Sequence, residues 1–195
     1  TVSNAFIRSQ VVVELARNCK VLAIGYPFET VGDKKMAGQV EWYEYDADLD
    51  SWLPLGDPHI IPGEEESDFA GASIALSQAG DRIAIGSPGN DYAGTDAGRA
   101  RVFLVNRGGW ELLGTAINGT TPGEELGGSI SLTSHESAGT YILAVGLRTT
   151  PKEGYVYTLS AEAARVYEFQ TGLWSERGQG VAPEMLGIDT AWFVQ

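Results

Sequence analysis

A single cysteine, Cys19, stands in the 195-residue chain, so no intrachain disulfide framework exists. No Cys or His lies near it at metal-ligand spacing. The chain has only two histidines, His59 and His135, and neither sits in a pattern that marks a triad or a zinc site. Basic residues are scarce: 13 Lys and Arg face 26 Asp and Glu, a formal net charge of −13. Phosphate backbones and anionic bilayers need clustered cations, so neither nucleic acid nor a membrane surface is an expected partner. No apolar run approaches the roughly 18 residues of a spanning helix, and no membrane insertion is expected. A sustained 3.6-residue apolar period is missing as well; residues 161–164 suffice for one helical turn at most. Also missing are a Gly-x-Ser-x-Gly elbow, a His-Glu-x-x-His pair, a P-loop and a dinucleotide fingerprint. No cofactor is expected.

The chain is 43% apolar, with 25 glycines recurring between short apolar runs. That composition favours a packed core with many tight turns. The runs repeat three times in one order. An alternating strand comes first: Val11, Val13 and Leu15, then Ser73 to Leu76, then Ser129 to Leu132. A strand ending in glycine follows, at Leu22 to Gly25, Ile83 to Gly86 and Leu143 to Gly146. An aromatic-rich strand is third, at Val40 to Tyr45, Ala100 to Val105 and Ala164 to Phe169. A Trp-x-x-x-Gly motif closes each set, at Trp52, Trp110 and Trp174. Equivalent anchors lie about 60 residues apart, the mark of a repeat architecture.

Each repeat predicts four short antiparallel strands. Ala79-Gly80-Asp81-Arg82 is a tight hairpin, and Pro27 and Pro88 end the second strand because proline has no N–H to donate. The third strand is apolar on both sides, with Val102 and Leu104 on one and Phe103 and Val105 on the other. Two buried faces fit a sheet stacked between two others.

These segments resemble the FG-GAP family of β-propeller repeats, known from integrin α-subunit heads and many secreted proteins. The likeness rests on Asp68-Phe69-Ala70-Gly71, Ile83-Ala84-Ile85-Gly86-Ser87-Pro88 and Gly98-Arg99-Ala100-Arg101-Val102-Phe103, with Gly25-Tyr26-Pro27 as a second copy. It implies an all-β fold of three four-stranded propeller blades, at about 5–66, 67–125 and 126–186. Residues 187–195 start a further blade. The whole chain, 1–195, then forms one propeller region or part of one. Many family members hold calcium between the first two strands, which takes about six to eight oxygen ligands. Here those hairpins, at 16–20, 77–81 and 133–137, lack the acids, so no metal is expected in them.

Other residues carry competing readings. A repeated position supports structural packing for the three tryptophans over a ligand box. Asp91 and Asp96 offer a cation site or an Asx-turn. The runs at 64–66 and 124–125 read as solvated turns. Asn118-Gly119-Thr120 is a glycosylation sequon in a predicted surface loop. Tyr155, Val156, Tyr157 and Leu159 form an apolar loop, suited either to a partner or to the blade beneath.

The expected function is non-catalytic: adhesion, assembly, or recognition of protein or glycan, in an extracellular or secretory-lumen setting. The alternative is a carbohydrate hydrolase or lyase on the same fold, its carboxylates drawn from distant loops. Three blades leave open apolar faces, which the rest of a longer chain or other subunits are expected to cover.

Overall fold

The computed structural model describes residues 10–135, 140–147 and 164–181. The fold is all-β, and no helix occurs among the described residues. The first sheet holds β1 (Val12–Leu15), β2 (Val21–Tyr26), β3 (Gln39–Asp46), β4 (Ser51–Pro54) and β5 (Ile60–Pro62). The second holds β6 (Ser73–Leu76), β7 (Arg82–Ser87), β8 (Arg99–Asn106), β9 (Gly109–Leu112) and β10 (Ile117–Asn118). The third holds β11 (Ser129–His135), β12 (Thr140–Gly146), β13 (Ala164–Gln170) and β14 (Leu173–Glu176). Every pairing within the sheets is antiparallel.

Four strands per repeat were expected, but the first two sheets have five. The outer strand breaks in two, and both pieces pair with the third strand. In sheet 1, β4 pairs with Tyr43–Asp46 and β5 with Gln39–Glu41. Pro54 supplies no N–H, and Gly56 turns with φ 90°, so the edge leaves the ladder before resuming. Gly114, φ 76°, holds the corresponding place between β9 and β10. In sheet 3 an isolated bridge from Ala164 to Val181 extends the same edge beyond β14.

Two apolar clusters bind the sheets to one another. The first joins Ala23, Val40, Trp42 and Ile61 of sheet 1 to Ile83, Ile85, Phe103 and Val105 of sheet 2. The second joins Ala84, Ala100 and Val102 of sheet 2 to Leu143, Val145 and Tyr167 of sheet 3. Sheet 2 is therefore covered on both faces, and β6 is buried at all four positions. Among the described residues, sheets 1 and 3 are covered on one, and β2 and β13 alternate buried with half-buried positions over most of their length. Each large aliphatic side chain in these clusters contributes about 1.5–3 kcal/mol by leaving water.

The glycine that ends each second strand has a spatial reason. A Cβ on Gly25 would lie 2.4 Å from the Gly71 carbonyl oxygen, and one on Gly86 would lie 2.1 Å from that of Gly127. Gly71 and Gly127 belong to the segment that leads into the next sheet. Their N–H groups donate to the Gly86 and Gly146 carbonyls. Backbone meets backbone at each sheet junction, and no side chain fits between.

Candidate functional site

The register gives every strand position a counterpart in the other sheets. Ile24, Ile85 and Val145 pair with Glu41, Arg101 and Arg165. Leu22, Ile83 and Leu143 pair with Tyr43, Phe103 and Tyr167. Tyr45, Val105 and Phe169 pair with the three repeated tryptophans. Directly paired residues share a face. In sheets 2 and 3 this face packs against the preceding sheet. In sheet 1 no described residue covers it. Val13 is 59% exposed there, Leu15 48% and Trp52 38%.

The tryptophans occupy equivalent positions, as packing residues. Trp110 lies edge-to-face on Phe103 at 5.4 Å, and its Nε1–H donates to the Ile60 carbonyl of sheet 1 at 2.9 Å. Trp174 lies 5.1 Å from Phe169 and donates to the Leu113 carbonyl of sheet 2 at 2.8 Å. Trp52 rests on Tyr45 at 5.5 Å and has no sheet before it among the described residues. The three do not converge on one cleft.

The acidic linkers are not simply solvated, which corrects the reading of the 64–66 and 124–125 runs. Glu124 is 2% exposed, and Asp68, in the other linker, 1%. Asp68 Oδ2 accepts the Glu64 and Glu65 N–H groups at 3.0 and 2.9 Å, while its Oδ1 accepts Asn90 Nδ2 at 2.9 Å. Glu124 Oε2 accepts the Thr120 and Thr121 N–H groups. Arg165 Nη2 then meets Glu124 Oε1 at 2.5 Å. In sheet 2, Glu64 takes Arg99 at 2.5 Å and Arg101 at 3.4 Å. Burial lowers the Arg101 pKa, and the Glu64 and Asp68 charges oppose that shift. Glu65 and Glu66 remain exposed, as expected.

Glu41 stands where the other sheets carry arginine. It accepts Gln39 Nε2 at 2.9 Å and the Tyr43 hydroxyl at 2.6 Å. The phenol is pushed up to about 12, first by that hydrogen bond and then by desolvation and the carboxylate charge.

Asp91 Oδ1 accepts the Asp96 N–H at 2.7 Å, and Asp96 has φ 51°. The pair closes a turn, the backbone alternative to a cation site. Among the described residues no three His, Cys, Asp or Glu side chains come together as metal ligands. His59 lies 6.4 Å from the Tyr43 ring. Asn118 is not in a loop: it is half-buried in β10, and its Oδ1 accepts Arg99 Nε at 2.7 Å. Tyr155, Val156, Tyr157 and Leu159 lie outside the described residues, as do 187–195.

Two clefts lie among the turns that join the sheets. One of about 540 Å³ is lined by Pro27, Phe28, Phe69, Pro88, Asp96 and Glu125, with Phe28 and Phe69 edge-to-face at 5.6 Å. The other, about 360 Å³, brings Glu64, Glu65 and Asp68 beside Tyr92 and Arg99. Tyr92, 75% exposed, lies 4.3 Å from the Arg99 guanidinium carbon, a cation–π contact. No helix among the described residues is long and apolar enough to cross a membrane. No protein-family model matches the chain, and no curated protein matches it.

Proposed function

We propose that the chain is a non-catalytic binding or assembly module built of FG-GAP-like propeller blades, acting on protein or glycan outside the cell or in a secretory lumen. The observation that carries this reading is the face of sheet 1 that no described residue covers. Leu22, Ile24, Tyr43, Tyr45 and Trp52 are the register counterparts of residues that form the two internal sheet–sheet contacts. An apolar, aromatic surface of this kind is a contact surface by composition. The cleft at Phe28 and Phe69 adds an aromatic floor, suited to a sugar ring or an apolar side chain.

The test uses arrays of glycans and extracellular proteins, probed with the wild-type chain and with the V13K/I24K variant. Both substitutions lie on the open face, outside the core, so the melting temperature is expected to hold. Retention of an arrayed ligand by the wild type, its loss in the variant and recovery of the ligand intact are the expected results. Release of shortened glycan would overturn the reading in favour of the hydrolase or lyase.

A further inference from the structure

The chain holds one N-glycosylation sequon, Asn118-Gly119-Thr120. Glycan transfer makes one bond, from Asn118 Nδ2 to the anomeric carbon of an oligosaccharide. The lipid-linked diphosphate that carried the sugar departs, and the amide loses one proton. A transferase has to take the asparagine amide and the threonine hydroxyl into its cleft together, so the acceptor segment must be free to leave its neighbours. Here each of the three residues is held by a different part of the fold. Asn118 pairs with Arg99 of β8, and its Oδ1 accepts Arg99 Nε at 2.7 Å. Gly119 N–H donates to the Gly98 carbonyl at 2.9 Å, and a Cβ on Gly119 would lie 2.0 Å from the Ala97 carbonyl oxygen. Thr120 N–H donates to buried Glu124, and its hydroxyl lies 3.3 Å from both Glu124 Oε2 and Arg165 Nη2. Arg165 belongs to sheet 3, so the sequon bridges two sheets. Ile117, the residue before it, is buried in the second apolar cluster.

We infer that Asn118 is a glycosylation site of the unfolded chain alone, and that the joining of sheets 2 and 3 withdraws it from the transferase. To present the sequon, the folded chain has to unpair β10 from β8, release Thr120 from Glu124 and Arg165, and draw Ile117 out of the core. Such an opening is a minor state, and modification through it proceeds in proportion to its population. Glycan transfer at Asn118 therefore competes with folding and stops once folding is complete. An occupied Asn118 marks a chain that met the enzyme before β10 had paired. This holds whatever the module binds.

The test gives purified oligosaccharyltransferase and a lipid-linked oligosaccharide three acceptors: the folded wild-type chain, a synthetic peptide of residues 113–124, and the folded G108T variant. G108T completes a second sequon at Asn106, in the exposed turn between β8 and β9, where Asn106 Oδ1 accepts the N–H of residue 108 at 2.8 Å. Gly108 is not at positive φ, and a Cβ there would lie 3.1 Å from Asn106 Oδ1, so the variant is expected to fold. Melting curves check that both chains are folded, and peptide mapping by mass spectrometry reads each site. The peptide is expected to be modified at Asn118, and the folded wild type about tenfold or more slowly by comparison. G108T is expected to carry glycan at Asn106 while Asn118 of the same molecule stays bare. Modification of Asn118 in the folded chain at the peptide's rate would overturn the inference. So would equal modification of Asn106 and Asn118 in folded G108T, or a peptide that the enzyme leaves bare. Should Asn106 prove a poor acceptor, the peptide against the folded wild type decides alone.

Discussion

The indole N–H of Trp110 crosses from the second sheet to the first and ends on the carbonyl oxygen of Ile60, 2.9 Å away. Trp174 repeats the crossing to Leu113, whereas Trp52 has nothing described to cross to. Truncation should therefore separate three residues that the sequence makes look alike. Trp110→Ala and Trp174→Ala are expected to cost about 3 kcal/mol each, through lost packing and a stranded carbonyl. Trp52→Ala should cost about 1 kcal/mol or less, since its ring is partly in water. Denaturant midpoints at unchanged m-values would measure all three. Equal losses would mean that Trp52 is covered as well.

Gly86 gives a steric prediction. Its Cβ position lies 2.1 Å from the Gly127 carbonyl oxygen and 2.3 Å from Ser73 Oγ. Backbone cannot rotate out of the way as a side chain can, so Gly86→Ala should destabilise by about 2–3 kcal/mol or more. Gly25→Ala meets the Gly71 carbonyl oxygen at 2.4 Å and should behave alike. Thermal melts of both variants would check this; a melting temperature within error of wild type would show that the junctions are looser than described.

Glu124 holds a turn and a buried cation together. Glu124→Ala frees the Thr120 and Thr121 N–H groups and removes the buried carboxylate that meets Arg165. Breaking one side of such a pair costs about 3–5 kcal/mol. Glu124→Gln keeps an acceptor for the turn and should lose less. Chemical denaturation of the two variants would rank them, and a neutral Glu124→Ala would contradict the burial of the pair.

The phenol of Tyr43 provides a pH signature. Its folded pKa, about 12, lies above the ordinary 10.0, so the fold favours the protonated form. The contribution to stability is complete below pH 10 and is lost as pH rises through about 12. Tyr26, Tyr45 and Tyr167 are raised as well, so the ultraviolet titration is read by difference: the late ionisation lost in a Tyr43→Phe variant belongs to Tyr43, and Glu41→Gln should bring it back towards the ordinary value. An unchanged late ionisation in that variant would remove Glu41 as the cause.

The strands were legible because each repeat carries its own local signals. Gly25, Gly86 and Gly146 mark one strand end three times, and the aromatic third strands align without insertion. The charge contacts were not legible, because they are long-range. Arg165 lies 41 residues from Glu124 and Arg101 39 residues from Pro62, and no short window contains both partners. The acids of the linkers accordingly look like ordinary surface charge in the sequence, whereas in the fold Asp68 and Glu124 turn inward onto the N–H groups of Glu64, Glu65, Thr120 and Thr121. The broken outer strand was hidden for a related reason. Trp-x-x-x-Gly locates the first piece, but β5 and β10 are two or three residues long and show no period of their own. Two-sided burial, read from Val102 to Val105, holds for β8 between its two neighbours, whereas β3 carries half-buried positions on one face.

The contrast between the two-sided middle sheet and its one-sided neighbours makes the described residues a short row of interacting units, in which the central unit touches two others and each outer unit touches one. In such a row, unfolding starts at the ends and runs inward, because an outer unit gives up a single contact when it opens. Amide protons of β7 and β8 should consequently be the last to exchange with deuterated water, and those of β1 among the first. A ligand that seats on sheet 1 would slow the exchange of β1 and β2 most, so the protection pattern would report which end is occupied without the partner being seen.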